Sequence, residues 1–266
     1  MSVNNRIITL LTDFGTSDGY IGAMKGVILS INPNAIVVDI SHEIQPQNIQ
    51  QAAYVLDTVH PYYPESTIHV VVVDPGVGTE RQAVMLKTPG AFFIAPDNGV
   101  LSPVVKDRVE TIAITNPDYW LSQVSTTFHG RDIFAPVAAH LSLGISPDRF
   151  GEIISSLVTL ANPQPEIEPN GTVIGQVIHI DHFGNLITNI KSDDLPQIDF
   201  FIAIKSHVIN RLSSSYAEGD ELLALVGSNG YLEIGVRYGD AAVYLGAECG
   251  ERVDIIANSK HRHTLT

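Results

Sequence analysis

The chain has few of the features that cross-link a protein, insert it in a membrane or bind it to polyanions. Its one cysteine, Cys249, excludes a disulfide framework and any cysteine-built zinc cluster. A lone thiol suits a reducing compartment, and a cytoplasmic location is the expectation. Basic residues are scarce, with 15 Lys and Arg against 29 Asp and Glu and a formal net charge of −14. Such a surface lacks a basic footprint for phosphates, which argues against nucleic acid or an anionic membrane as partner. No apolar run approaches the about 18 residues of a transmembrane helix. The polar residues 1–6 lead into an apolar run, 7–11, that is too short for a signal-peptide core and is followed at once by Asp13. The tail at His261-Arg262-His263 reads as solvated. Apolar material is plentiful: 44% of the 266 residues are hydrophobic and 17% charged, enough for one large or two ordinary domains with real cores.

The first half alternates strand and helix patterns. Strands are expected at residues 7–12, 35–40 and 68–73, the last a continuous valine-rich run suited to burial on both faces. Helical stripes cover 20–31, with Ser17 or Asp18 as N-cap, 49–59 and 132–143. Residues 84–87 and 92–95 read as a hairpin around Pro89-Gly90. The order implies an α/β domain with a mostly parallel sheet. Near Asn162-Pro163-Gln164-Pro165-Glu166 periodicity stops. The expected division is a domain over 1–161, a linker over 162–170 and a domain over 171–266. The second domain shows strands at 173–180, 186–190, 200–204, 222–226, 231–236 and 253–257, and no convincing helix. It reads as a small all-β barrel.

Ligands of parallel α/β sheets bind beyond the carboxyl ends of the strands, and polar residues gather there. Asp13 follows the first strand, with a glycine two residues on. Its carboxylate can accept from a sugar diol or hold a metal; a helix-capping turn is the plainer alternative. Gly76-Val77-Gly78 follows the third strand but lacks both G-x-G-x-x-G and a Walker lysine, so it reads as a turn returning Arg81 over the strand end. Asp74, Arg81 and His129 supply a proton acceptor, a fixed cation and an orienting imidazole, the groups needed to handle a water. A structural Asp–Arg pair with a capping histidine is the alternative, and the residues alone leave both open. His179 and His182, three apart on a strand, face opposite ways and make a poor metal clamp. Phe183 beside Asn185 offers a ring for stacking and an amide for hydrogen bonding, while Asp181 can cap the turn. Glu233 is a charge in an apolar strand, pointing to solvent by alternation or reaching an adenine amino group.

Six ordered segments resemble one family: Leu11-Thr12-Asp13-Phe14-Gly15, Val73-Asp74-Pro75-Gly76-Val77-Gly78, Ala95-Pro96-Asp97-Asn98-Gly99, Phe128-His129-Gly130-Arg131-Asp132-Ile133-Phe134-Ala135-Pro136, Phe183-Gly184-Asn185 and Leu232-Glu233-Ile234. This pattern is similar to that of the S-adenosylmethionine hydroxide adenosyltransferases, or S-adenosylmethionine hydrolases, relatives of fluorinating and chlorinating enzymes. The resemblance implies a Rossmann-like N-terminal domain, a C-terminal β-barrel, and a homotrimer with active sites at subunit interfaces. It implies an enzyme that splits S-adenosylmethionine into adenosine and L-methionine without cofactor or metal. Asp74, Arg81 and His129 would position and activate water. Asp13 would hold the ribose, and Asp181, Phe183, Asn185, Ser228, Glu233 and Val236 would line the substrate pocket.

Three other readings are open. A halogenase would have to bring a halide past the Asp74 carboxylate, against like-charge repulsion. A metal-dependent phosphohydrolase would use Asp13, Asp18 and Asp74 on Mg²⁺. A non-catalytic nucleoside or S-adenosylmethionine sensor would bind without turnover.

Overall fold

The run IITLLT is aliphatic or β-branched throughout, and it forms β1 (Ile7–Thr12), buried from Ile8 onward. It opens a computed structural model that describes residues 7–105, 110–161 and 163–257. The expectations for residues 1–6, Asn162 and the tail at 261–263 lie outside the described residues. By contact density the chain falls into two units, residues 1–161 and 162–266.

In the first unit β1 is followed by α1 (Tyr20–Ile31), β2 (Ile36–Ser41), α2 (Ile49–Val59) and β3 (Thr67–Val72). The N-cap of α1 is Gly19 and makes no side-chain capping bond, so neither Ser17 nor Asp18 has the expected role. The first turn is tied through its backbone, by Ala23 N donating to Gly19 O. Asn48 caps α2, accepting from Gln51 N at 2.9 Å. Next come β4 (Ala83–Lys87), β5 (Ala91–Pro96), β6 (Glu110–Ala113), α3 (Ala135–Ser142) and β7 (Ile153–Ile154).

The strand order is β2-β1-β3-β5-β4-β6-β7. The first four strands pair in parallel, whereas β5-β4-β6-β7 pair antiparallel. The sheet is therefore mixed, not mostly parallel. A tight hairpin between β4 and β5 permits only antiparallel pairing, and β6 and β7 are too short to show a period in sequence. Alternate residues serve opposite faces. Ile8, Leu10, Val70 and Val72 pack with buried residues of α1 and α3, while Leu11, Val71 and Val73 pack with those of α2.

His69 on β3 is buried, its Nδ1 2.8 Å from Thr9 Oγ1 and its ring stacked on Phe93 at 4.9 Å. Burial, helped by His60, pushes its pKa down to about 3 from 6.5. The folded chain thus holds a neutral imidazole that the unfolded chain protonates. Its stabilisation is whole above pH about 6.5 and drains as pH falls toward 3, on the order of 3 kcal/mol by pH 4. Melting temperature should accordingly fall less between pH 7 and 4 in His69→Phe than in the wild type. Equal slopes would show that another group carries the acid sensitivity.

The second unit contains β8 (Glu166–Ile167), β9 (Val173–Ile180), β10 (Leu186–Lys191), β11 (Phe200–Ile204), β12 (His207–Ile209), β13 (Leu222–Val226), β14 (Tyr231–Val236), α4 (Ala241–Leu245) and β15 (Arg252–Ala257). The order β12-β11-β15-β9-β10-β14-β13 is antiparallel throughout, with β8 added on β9. Leu212, just past β12, bridges Ala224 of β13, so the sheet nearly closes into a barrel. Leu232, Ile234, Val253 and Ile255 alternate into its core. Three features differ from the sequence reading, the first being the three-residue strand β12, which was not expected. A short strand, β8, lies within the Pro-rich stretch, and α4 is a five-residue helix too short to leave a stripe, capped by Asp240 and ended by Gly246 at φ +57. Among the described residues no helix is long and apolar enough to cross a membrane.

Candidate active site

Asp74, two residues past β3, and Arg81, two before β4, meet across the intervening turn. Arg81 Nε donates to both Asp74 oxygens at 3.0 Å, and Nη2 donates to Oδ2 at 2.5 Å. Both side chains are largely withdrawn from solvent, at 5% and 11% exposure for Asp74 and Arg81. The same Nη2 lies 2.7 Å from His129 Nδ1. A guanidinium only donates, so Nδ1 accepts and the ring is the neutral Nε2–H tautomer. Burial first, and the Arg81 charge second, push the His129 pKa down, only partly offset by Asp74 and Asp132. The three residues therefore combine a carboxylate acceptor with an imidazole N–H donor, both oriented by one cation.

Local backbone brings these segments together. Val77 N donates to Asp74 O and Thr79 N to Gly76 O, which curl the turn back. Gly78 is at φ +78, and a Cβ there would lie 2.3 Å from the Thr126 carbonyl oxygen. Only a bare Cα lets the Asp74–Arg81 turn touch the segment that carries His129. That segment is anchored by fully buried Asp132, which accepts from Ser125 N at 2.7 Å and from Arg131 Nε at 2.6 Å. Residues Gly130–Phe134 form a π-helical turn ahead of α3, in place of the regular helix expected from 132. Asn98 Nδ2 donates to Val73 O at 2.8 Å and pins the chain beside Asp74.

Asp13 sits directly after β1, and its Oδ2 accepts from Gln47 N at 2.7 Å. The next residue, Phe14, meets Phe128 and Tyr20 at ring distances of 5.7 and 5.8 Å, and Tyr20 meets Phe128 at 5.3 Å. This aromatic trio joins the Asp13 loop to the His129 loop. Tyr20 carried no motif signal, because it occupies an ordinary first position of a helix.

A second group lies on the barrel unit. Asp181 accepts from Phe183 N, Asn185 N and Asn185 Nδ2, each at 2.9 Å. Its carboxylate is thus occupied in fixing the loop that presents Asn185. Phe183 stands out at 73% exposure. Glu233 points outward from β14 as alternation requires, but Tyr216 OH reaches its Oε2 at 2.9 Å, and a Cβ on Gly227 would lie 1.9 Å from its Oε1. Ser228 follows Gly227 in the exposed turn before β14. The Val236 side chain belongs to the barrel core, which leaves its backbone for any ligand. Tyr216 was missed in the sequence: it lies in a loop with no periodicity, and only the fold brings it to Glu233. Among the described residues, no three of His, Cys, Asp and Glu converge as metal ligands.

Comparison with known proteins agrees over both units. The S-adenosylmethionine hydroxide adenosyltransferase N-terminal domain profile matches residues 8–151, and the C-terminal domain profile matches 175–254. The chain is 37% identical over 266 residues to the (R)-S-adenosyl-L-methionine hydrolase of Methanocaldococcus jannaschii, covering 94% of this chain and 95% of that protein. It is 34% identical to the (R)-S-adenosyl-L-methionine hydrolase of Salinispora tropica, covering 94% and 97%. An uncharacterized conserved protein from Thermotoga maritima has a crystal structure similar to this one at TM-score 0.87, with 39% identity and coverage of 94% and 99%.

Proposed function

Because the chain belongs to the S-adenosylmethionine hydroxide adenosyltransferase family, we propose that it hydrolyses (R)-S-adenosyl-L-methionine to adenosine and L-methionine. The observation that carries this reading is the Asp74–Arg81–His129 constellation, with a neutral imidazole donor beside a fixed carboxylate. Methionine leaves readily from a sulfonium, so the protein's task is to hold and aim a water. Asp74 accepts one water proton as His129 Nε2–H orients the oxygen. The oxygen bonds to ribose C5′, the C5′–S bond breaks, and its electron pair returns to the methionine sulfur. One proton passes from Asp74 to solvent, and the charges balance.

Asp13 Oδ1 takes the ribose hydroxyls in this reading, since Oδ2 is engaged with Gln47. Phe183 stacks on the base, and Asn185, Ser228 and Glu233 supply polar contacts. Val236 contributes backbone, and Asp181 acts through Asn185. The reading needs neither metal nor cofactor. It takes the first unit as the family's Rossmann-like domain and includes the homotrimer that the resemblance implies.

Incubation of the full chain with each sulfonium epimer in ¹⁸O-water, with EDTA present, tests it. The (R)-epimer should give adenosine labelled at the 5′-hydroxyl. Unlabelled adenosine, or activity abolished by EDTA and restored by Mg²⁺, would reject this mechanism.

A further inference from the structure

Glu233 is anomalous where it stands. It lies on the outward face of β14, where a carboxylate is normally solvated, yet it is only partly exposed. The cover comes from Tyr216, in the loop between β12 and β13. That loop is strapped down, with Ser213 N donating to Ala224 O at 2.7 Å and the Ser214 hydroxyl bonded to Glu218. From there the Tyr216 ring crosses Gly235, two residues beyond Glu233 on the same face. A Cβ on Gly235 would lie 2.8 Å from Tyr216 Cε1 and 2.9 Å from Asn185 Oδ1. A bare strand position thus seats the phenol and places it next to the amide held by Asp181. Glu233, Tyr216 and Asn185 form one cluster on that face.

We infer that Tyr216 is a positioning residue for base recognition, its hydroxyl fixing the Glu233 carboxylate so that a remaining lone pair accepts from the exocyclic amino group of the adenine. The inference rests on the proposed reaction for the identity of the ligand. Tyr216 is suited to the task. Burial, and then Glu233 itself, push its phenol pKa up, so it stays a donor. Glu233 is also shifted upward by burial, drawn down by the Tyr216 hydroxyl and pushed up again by Asp181. Its ladder partners, Leu225 on β13 and Ile187 on β10, carry no charge, and Asn185 is neutral.

The test uses the full chain and reads binding, so it does not depend on turnover. Adenosine and purine riboside, which lacks the amino group, are titrated into the wild type, Tyr216→Phe, Glu233→Gln and the double variant. Tyr216→Phe should weaken adenosine about tenfold, the scale of one hydrogen bond to a charged group, and leave purine riboside unchanged. In the Glu233→Gln background the same substitution should cost less than twofold, because the group it acts through is gone. Adenosine affinity should fall on acidification as Glu233 protonates, and the fall should begin at higher pH in Tyr216→Phe, which has lost the bond that lowers the Glu233 pKa. Melting temperatures show that each variant is folded. Equal weakening of both nucleosides, an equal cost in both backgrounds, or a wild type that does not bind adenosine would overturn the inference. A wild type that binds adenosine as described but does not hydrolyse S-adenosylmethionine would reject the reaction alone.

Discussion

Asp74→Asn should lower kcat by about 10² or more, the usual scale for losing a positioned proton acceptor. The amide matches the carboxylate in shape, but it cannot take the water proton and gives Arg81 no counter-charge. With Asp74 only 5% exposed, the uncompensated guanidinium also carries a stability cost, and the melting temperature should fall. Adenosine binding should persist, because the polar contacts proposed for the nucleoside come from Asp13, Asn185, Ser228 and Glu233. Single-turnover kinetics and adenosine titration separate the two effects. Normal turnover in Asp74→Asn would remove the water site from this carboxylate, and loss of binding in proportion to rate would give it a role in holding the nucleoside.

Gly78→Ala should be nearly as damaging, although it removes no functional group. An alanine at φ +78 is strained, and its Cβ would meet a backbone oxygen, Thr126 O, at 2.3 Å. A flexible side chain could swing aside, but a carbonyl in an anchored segment moves only with its chain. The turn bearing Asp74 and Arg81 must then separate from the segment bearing His129. A displacement of about 1 Å in a catalytic constellation costs on the order of 10² in rate. The expected result is a kcat reduced about 100-fold with a stability loss of about 1–3 kcal/mol. Gly90→Ala, which meets nothing within 4 Å, is the control and should change neither. A Gly78→Ala enzyme with full kcat would show that close approach of the two segments is not required.

Both predictions depend on proximities of unequal visibility in the sequence. Asp74 and Arg81 are seven residues apart across a glycine-rich turn, so their meeting is legible as local chemistry. His129 lies 48 residues further on, and its place beside Arg81 follows from the close approach at Gly78 and the anchoring of Asp132. The strands were readable because each carries a run or an alternation of its own. β6, β7, β8 and β12, of four, two, two and three residues, were not, since so short a segment holds no full period. The parallel pairs β1–β2 and β1–β3 follow from the strand–helix alternation, whereas the parallel β3–β5 pair, with no helix between them, does not. The hairpin accounts for the antiparallel β4–β5 pair, while the β4–β6 and β6–β7 pairs are set by the fold.

The sequence by itself determined the two-part architecture, the strand ends where polar residues gather, and the family, because these depend on periodicity and on motifs read within a few residues. Tertiary structure alone decided what those residues do to one another. It set the tautomer of His129, through the guanidinium at Nδ1, and lowered its pKa, through burial first and the Arg81 charge second. It engaged the Asp181 carboxylate in three hydrogen bonds that hold the loop presenting Asn185, a use that a motif of single residues does not reveal. It also brought Tyr216 over Glu233 across Gly235, a contact between a loop without pattern and a strand 17 residues away. Hydrogen bonds and burial act over a few ångströms in space, and chain separation carries no record of them until the fold has closed.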